Sequence, residues 1–296
     1  MSGAGSISAR TGIVPSVVWI MWRREMLRYF RDRSQIFGGF SRTILWLVIL
    51  GFGLGASLRE IEGYSYAEYI LPGVVTLNIL FSSLQCAISL VWDREVGLLR
   101  SVIVSPAPIL SVALGRLFGG ATIAMIQGGI PLLFIPVIGA RIELWSLVAA
   151  LIIMFFMGMT ITAGGIVIAS RLKTFEGFGA ISNGIIQPLY FLSGSIFPLR
   201  GVIGGVGFLD IPDSVRDELR RLGVFAINGG WVVQLPVWLQ TLVYMNPVSY
   251  QLDLLRYVLL DFQQLPLVAD VLVTFALAPV AAVIAAASMR HMLRRR

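Results

Sequence analysis

The side chains that most often perform catalysis or bind metals are scarce in this 296-residue chain. It has one cysteine, Cys86, inside an apolar segment, and one histidine, His291, inside a basic tail. A single thiol can form neither an intrachain disulfide nor a thiolate metal site, and one distant histidine completes no ligand set or nucleophile pair. We therefore expect no metal site, no zinc-hydrolase chemistry and no Ser-His-Asp chemistry.

The sequence also contains no recognisable phosphate-binding motif. The only lysine, Lys173, follows Leu172, whereas the lysine of a Walker A loop follows a glycine. Gly51–Ala56 matches the GxGxxA pattern by letter but lies within an apolar stretch, where it predicts helix packing. We expect no cofactor on this chain, so any ATP and Mg must be bound by a partner.

Two polar stripes remain as candidates for contact with a ligand or with a neighbouring helix. In the second long apolar stretch, the positions i, i+4, i+7 and i+11 are occupied by Asn78, Ser82, Gln85 and Ser89. The fifth stretch repeats this spacing with Asn183, Gln187, Tyr190 and Gly194. Each set forms one polar stripe on a helix, which either lines a path or makes hydrogen bonds between helices. The pattern alone leaves both readings open.

The elements that carry these stripes belong in a membrane. The chain is 57% hydrophobic and 13% charged, well away from the composition of soluble domains. Six apolar stretches stand out: Thr43–Leu58, Tyr69–Trp92, Leu117–Ala140, Leu144–Ser170, Gly177–Leu199 and Val271–Met289. Most reach the ~20 residues that cross a bilayer as a helix. None contains an ionisable Asp, Glu, Lys, Arg or His, and the first is expected to begin earlier, near Ile36, with Arg42 reaching the interface. Residues 36–289 are therefore predicted to form a six-span domain.

The N-terminus is expected to lie outside this domain. Residues 1–12 are rich in Ser, Gly and Ala and are predicted to be disordered. Residues 13–34 are predicted to form an amphipathic interfacial helix, with aromatic and arginine residues on different faces: Trp19, Trp22, Met26 and Phe30 against Arg24, Arg28 and Arg31. The alternative is a plain extension of the first span.

Charge asymmetry predicts the orientation. The segments before the first span, within 93–116 and 171–176, and in the tail 290–296 hold 16 basic and 5 acidic residues. The remaining connections hold 7 basic and 11 acidic residues. The positive-inside rule then places both termini and the basic tail in the cytoplasm. Charges grouped at span ends predict basic cytoplasmic loops rather than a nucleic-acid-binding surface.

The segment 200–270 is the largest predicted non-spanning region and falls on the external side. Within it, Ser214–Gly223 has the pattern of a short amphipathic helix with a capping box. Gly201–Leu209 and Val232–Met245 are apolar but too short to span, which is typical of re-entrant or interfacial elements. Asp253 and Arg256 are predicted to form a structural ion pair.

The cytoplasmic loop Asp93–Pro106 combines charged ends with branched apolar residues. A short helix here would offer apolar side chains to a partner: Leu98, Leu99, Val102 and Ile103. The alternative is a solvated connector, which has little reason to carry so many branched apolar residues.

At this point the chain resembles the ABC-2 type permeases, particularly the drug-exporter branch typified by daunorubicin-resistance permeases. Three pieces carry the resemblance: Tyr69-Ile-Leu-Pro-Gly73, the loop Asp93–Pro106, and Asn246-Pro-Val-Ser-Tyr-Gln-Leu-Asp-Leu-Leu-Arg256. Gly97-Leu-Leu-Arg100 replaces the Gly-Thr-Leu-Glu of many members, although the drug-exporter branch commonly has Arg there. The stretch 201–230 is longer than usual.

The resemblance implies an all-α integral membrane protein with six transmembrane helices, an N-terminal amphipathic interfacial helix, a cytoplasmic coupling helix and external re-entrant helices before the last span. It implies that a separate ATP-binding-cassette ATPase docks on the loop, at Asp93, Arg94, Glu95, Gly97, Leu98, Leu99, Arg100 and Pro106. It also implies a second permease copy, with the substrate path lined by Asn78, Ser82, Gln85, Asn183, Gln187 and Tyr190. The external structural motif would comprise Asn246, Pro247, Tyr250, Asp253 and Arg256.

The expected function is that of the membrane-spanning permease subunit of an exporter in the plasma membrane, itself not an enzyme, which moves an amphiphilic, lipid-like or drug-like substrate outward. The alternative is a secondary transporter or channel driven by an ion gradient. Spans without acidic residues argue against proton coupling, because proton relays place Asp, Glu or His within the membrane.

Overall fold

The computed structural model describes residues 12–55, 64–97, 107–140, 142–172, 174–199 and 236–294, and these are helical without any strand. In chain order the elements are α1 (Pro15–Arg31), α2 (Arg33–Trp46), a π-helical segment (Leu47–Leu54), α3 (Tyr66–Glu95), α4 (Ile109–Leu132), α5 (Ile135–Ile138), α6 (Leu144–Arg171), α7 (Phe175–Leu192), α8 (Val237–Met245), α9 (Pro247–Leu260) and α10 (Leu267–Arg294).

Five helical stretches among the described residues are long and apolar enough to cross a bilayer: Arg33–Gly51, Tyr66–Glu95, Ile109–Ile138, Leu144–Arg171 and Leu267–Met292. The chain is thus a multi-pass membrane protein. The predicted fifth span, Gly177–Leu199, is helical only to Leu192, so the count of six remains a prediction. The first candidate span begins at Arg33, close to the predicted start near Ile36, and like the predicted span it includes Arg42. The apolar stretches contain no ionisable residue, but the longer candidate spans do, with Arg42 in the first and Arg116 in the third, so the expectation of spans free of ionisable residues is wrong.

α3 is the central helix of the bundle. In its 18-residue apolar stretch, 83% of the residues are buried, against 22–39% in the corresponding stretches of the other candidate spans. It packs against α4, α6, α7 and the π-helical segment, while α10 packs against α6. Ser65 and Glu68 form a capping box at its start, and Gly97, with φ of +81°, follows its end in the left-handed region that glycine adopts most easily. This 30-residue rod connects the two ends of the bundle.

α1 packs along α4 through two glycines one helical turn apart, Gly115 and Gly119. A Cβ on Gly115 would lie 2.5 Å from the Cβ of Met21, and one on Gly119 would lie 2.8 Å from the Cβ of Glu25. The close approach is possible only because neither position has a side chain. The aromatic positions do not share one environment, since Met26 is buried while Trp19 and Phe30 are 59% exposed. Placement of α1 in the headgroup region remains a prediction.

The structure describes part of the predicted external region. α8 and α9 contain 9 and 14 residues, fewer than a bilayer crossing requires. They precede the last candidate span, as the expected pair of short helices should, and their re-entrant insertion remains a prediction. The predicted helix at Ser214–Gly223 and the apolar piece Gly201–Leu209 lie outside the described residues, as do residues 1–11.

Candidate functional site

A buried network of charges joins α1, α3 and α4 at the predicted cytoplasmic end of the bundle. Asp93, only 2% exposed, accepts hydrogen bonds from Arg24 at 2.9 and 3.0 Å and from the buried Arg116. Arg28 approaches the same carboxylate at 3.8 Å, and Arg116 lies 4.0 Å from the buried Glu25. Buried charges are tolerated when they are paired and hydrogen-bonded in this way. The end of α3 is therefore tied to both neighbouring helices.

A groove of about 880 Å³ opens beside this network. Its walls carry arginines from α1 and the exposed rings of two tryptophans, and the lining includes Arg23, Arg24, Arg28, Arg31, Trp19 and Trp92. Tryptophan is enriched where a membrane meets water, and arginine is enriched on its cytoplasmic side. The groove therefore has the composition of a cytoplasmic interface. Nearby Asp32 caps α2, and its hydrogen bond from Ser34 holds the pKa of its carboxyl below the usual value.

The first of the residues expected to contact an ATPase, Asp93, is buried within this network, and the others follow it along the chain. Arg94 donates to the carbonyl of Leu172 at 2.8 Å and so links the end of α3 to the connection after α6. Glu95 is exposed, and Gly97 allows the chain to leave the helix axis. The other expected contacts lie outside the described residues: Leu98, Leu99, Arg100 and Pro106. The coupling helix therefore remains a prediction.

The stripe on α3 is divided between packing and exposure. Asn78 is fully buried; its Oδ1 accepts from Arg42 Nε at 2.7 Å, and its amide donates to Thr43 at 2.7 Å. Ser82 bonds to the carbonyl of Asn78 at 2.8 Å, within its own helix, whereas Gln85 is exposed. Ser82, Gln85 and Ser89 of the stripe line a small crevice of about 50 Å³, which is also lined by residues of α1 and α2.

The stripe on α7 is divided in a similar way. Gln187 is exposed, while Tyr190 is fully buried with its ring 5.7 Å from the ring of Trp46. The side chain of Asn183 lies outside the described part, and Gly194 falls in the turn after the helix, with φ of +78°. Only Gln187 is therefore open to a partner or substrate among the described stripe residues of α7.

Two of the three pieces that carry the family resemblance meet on the turn 193–199. Tyr69 and Arg256 both donate to the carbonyl of Gly194, at 3.1 and 3.0 Å, and the guanidinium lies 4.2 Å from the centre of the Tyr69 ring. A Cβ on Gly73 would lie 2.6 Å from the carbonyl oxygen of Ser195. The YILPG and Asn246–Arg256 pieces thus form one clamp on this turn, on the predicted external side.

The rest of the second piece shapes the connection into α10. Asn246 caps α9 by accepting from the Val248 N–H, and its amide donates to the Leu189 carbonyl at 2.8 Å. Pro247 occupies the first turn of α9, where its missing N–H costs nothing. Tyr250 donates to the carbonyl of Tyr244 at 2.8 Å.

The predicted ion-pair partners Asp253 and Arg256 each make hydrogen bonds to a different backbone segment. Asp253 accepts from the backbone N–H groups of Gln264, at 2.9 and 3.1 Å, and Leu265, at 2.6 Å. Arg256 instead donates to the turn after α7. Both residues are 1% exposed. Asp253 thus fixes the backbone that leads into α10, and Arg256 fixes the turn after α7.

Two charged residues at these sites were not singled out from the sequence, Glu25 and Arg116, and Arg42 was expected at the interface rather than in contact with α3. Arg116 and Glu25 could have been found from the neighbouring small-residue pair Gly115 and Gly119, because a helix pressed against those glycines brings its own charges next to α4. Arg42 had a weaker signal, since it stands at the edge of an apolar run. Within the described residues no group of His, Cys, Asp and Glu side chains is arranged to hold a metal ion.

Comparison with known proteins agrees with this architecture. The model of the ABC-2 type transporter family matches residues 16–209. Over 267 residues the chain is 24% identical to Nodulation protein J of Rhizobium leguminosarum bv. trifolii, covering 88% of this chain and 87% of the relative. It is 22% identical over 266 residues to the inner membrane transport permease YadH of Escherichia coli K12, covering 87% and 89%. It is also 22% identical over 247 residues to the putative transport permease ycf38 of Cyanophora paradoxa, covering 81% and 73%.

Helical spans and a family match that covers most of the chain define a membrane permease component of a transporter. The chain belongs to the ABC-2 type transporter family.

Proposed function

We propose that this chain is the membrane-spanning subunit of an ATP-driven exporter, which moves an amphiphilic, lipid-like or drug-like molecule outward while a separate ATP-binding-cassette subunit hydrolyses ATP. The observation that carries the proposal is the buried network around Asp93. It holds three helices together at the point where the Asp93–Pro106 loop leaves the bundle. A partner that moves this loop would move α1, α3 and α4 together.

The position of α3 gives this movement a route across the membrane. Its 30 residues extend about 45 Å at ~1.5 Å per residue. Its first turns hold the external turn 193–199 through Tyr69 and Gly73. A displacement at the cytoplasmic end would therefore reach the external clamp through one largely buried helix. This coupling of a docking loop to an external gate is what an alternating-access exporter needs.

The exposed amides favour a second copy of the chain. Gln85 lies on the candidate span α3 and Gln187 on α7, the predicted fifth span, and both are exposed in the single chain. An amide turned to hydrocarbon would lose its hydrogen bonds at a cost of ~2–7 kcal/mol. We place these two residues along a path between two permease copies, in the plasma membrane, with both termini cytoplasmic. Asn78 then supports the path from behind rather than lining it.

An ion-gradient-driven transporter or channel is the second candidate. Acidic residues of the candidate spans occur only close to span ends, at Glu68, Asp93, Glu95 and Asp270. A proton relay normally requires such groups deeper in the membrane. This distribution favours coupling to ATP hydrolysis over coupling to protons.

The test is docking of the ATPase that functions with this chain. Glu95→Ala and Leu99→Ala should weaken its co-purification or uncouple ATP hydrolysis from transport, because docking surfaces concentrate energy in a few side chains worth above ~1 kcal/mol each. The matched control is Glu143→Ala, an exposed acid on the predicted external side. Normal docking and transport in both loop variants would contradict the proposal.

A further inference from the structure

An arginine lies at the centre of the first candidate span. That span extends over Arg33–Gly51, so Arg42 is nine residues from each end, about 13 Å at ~1.5 Å per residue. Arginine stays charged in proteins, and a charge at the centre of a spanning helix costs ~3 kcal/mol on insertion scales. Such residues persist mainly where they serve a substrate or ion path.

The side chain is turned toward α3 rather than toward the interface. Arg42 Nε donates to Asn78 Oδ1 at 2.7 Å, and the guanidinium carbon lies 4.4 Å from the centre of the Phe81 ring. Thr43, the next residue, receives the amide hydrogen of Asn78 at 2.7 Å and so holds the acceptor in position. Reaching the interface, as expected from sequence, would break this arrangement.

Of the donors on the Arg42 guanidinium, these contacts use only the Nε–H group. The two terminal amino groups of Arg42 make no hydrogen bond or ion pair within the part of the chain that the structure describes. The side chain is half-buried, so part of it is open to the surface of the single chain. Gln85 is exposed about two turns from Asn78 on α3.

The described candidate spans carry no acidic side chain at that depth, since their Asp and Glu residues lie within four residues of a span end. The same spans of a second copy would carry the same distribution. An anion that enters the membrane domain would supply the counter-charge that these spans do not give Arg42.

We propose that Arg42 is a specificity-determining residue that binds the acidic headgroup of the transported amphiphile, a phosphate or a chemically equivalent oxyanion. The planar guanidinium suits such groups because two parallel N–H donors match two oxygens. The Phe81 ring beside it offers apolar surface for the attached hydrocarbon. This inference rests on the proposed function and narrows the substrate from any amphiphile to an acidic one.

The test is thermal unfolding of the purified full chain in neutral detergent with added phosphatidic acid, phosphatidylcholine or inorganic phosphate. A ligand that binds the folded state raises the unfolding midpoint as its concentration exceeds Kd. We expect phosphatidic acid to raise the midpoint well beyond phosphatidylcholine, and inorganic phosphate to leave it unchanged. Arg42→Gln should abolish the difference between the lipids, whereas Arg33→Gln, at the exposed start of the same helix, should preserve it.

A second variant keeps the test decisive if Arg42→Gln folds poorly. Asn78→Asp has the same shape and places a carboxylate on Arg42 Nε, which neutralises the arginine without removing it. It should leave the lipid-free midpoint equal or higher and lower the affinity for phosphatidic acid at least tenfold. Retained selectivity in Asn78→Asp, or equal stabilisation by the two lipids in the unaltered chain, would overturn the proposal.

Stabilisation by inorganic phosphate alone would also overturn it, because the site would then bind a free anion. The assay contains no ATPase, so its failure leaves ATP-driven transport to be tested separately.

Discussion

Replacing Asp93 by Asn tests the charge network with little change of shape. The substitution removes the carboxylate that accepts from Arg24 and Arg116 and leaves Arg116, 3% exposed, with only Glu25 at 4.0 Å. Removing one partner of a buried pair typically costs 3–5 kcal/mol. We expect the lower end, ~3 kcal/mol, because the Arg24 side chain is 36% exposed and its share is screened by solvent. For 296 residues, at ~2.1 cal/mol/K of unfolding entropy per residue, that corresponds to a fall in unfolding midpoint of about 5 °C.

The assay is thermal unfolding of the detergent-purified full chain, followed by intrinsic fluorescence. Glu143→Gln is the matched control, since Glu143 is exposed and caps no helix N–H with its side chain. Arg24→Gln should cost no more than ~1 kcal/mol, as exposed ion pairs do. If Asp93→Asn unfolds within 2 °C of the control, a margin of about 1 kcal/mol or less, the network does not hold the helices together and the reasoning is refuted.

Three further outcomes follow from the geometry. Gly115→Val should destabilise the chain by ~2 kcal/mol or more, because α1 lies against that position. Gly129→Ala on the same helix should be neutral, since nothing lies within 4 Å of the added Cβ. Similar unfolding midpoints for the two variants would refute the packing of α1. Arg256→Lys should lower the midpoint despite conserving charge, since lysine cannot both donate to Gly194 and stack on Tyr69; an unchanged midpoint would contradict the clamp. Single cysteines at Ser6 and Ser214, in a Cys86→Ser background, should label from opposite sides of the membrane, and same-side labelling would refute the topology.

Much of the helical bundle can be predicted from the sequence because spanning helices follow from length and hydropathy alone. The second and fourth apolar stretches correspond to α3 and α6 nearly residue for residue. The first span could not be placed so well, because hydropathy falls at Arg42 although the helix continues through it. What keeps Arg42 within the span is the hydrogen bond that it donates to Asn78 of α3, and such tertiary contacts leave no periodic signal in sequence.

The candidate site was predictable as a set of motifs but not as a set of contacts. The polar stripe on α3 was visible as spacing, yet Asn78 and Gln85 differ because only Asn78 meets α2. Likewise, Tyr69 and Arg256 belong to motifs almost two hundred residues apart, and nothing in either motif indicates that they share the Gly194 carbonyl. Pairings across such distances depend on how the helices pack.

Reconstitution with the partner ATPase tests the central claim most directly. The chain should co-purify with an ATP-binding-cassette subunit, and in nanodiscs the complex should hydrolyse ATP faster when an amphiphilic substrate is added. The Asp93→Asn variant should lose most of this stimulation, because movement of the loop would no longer carry α1 and α4 with it. If no amphiphile tested changes the rate of ATP hydrolysis by the complex, or if the chain transports substrate without any ATPase, the account is contradicted.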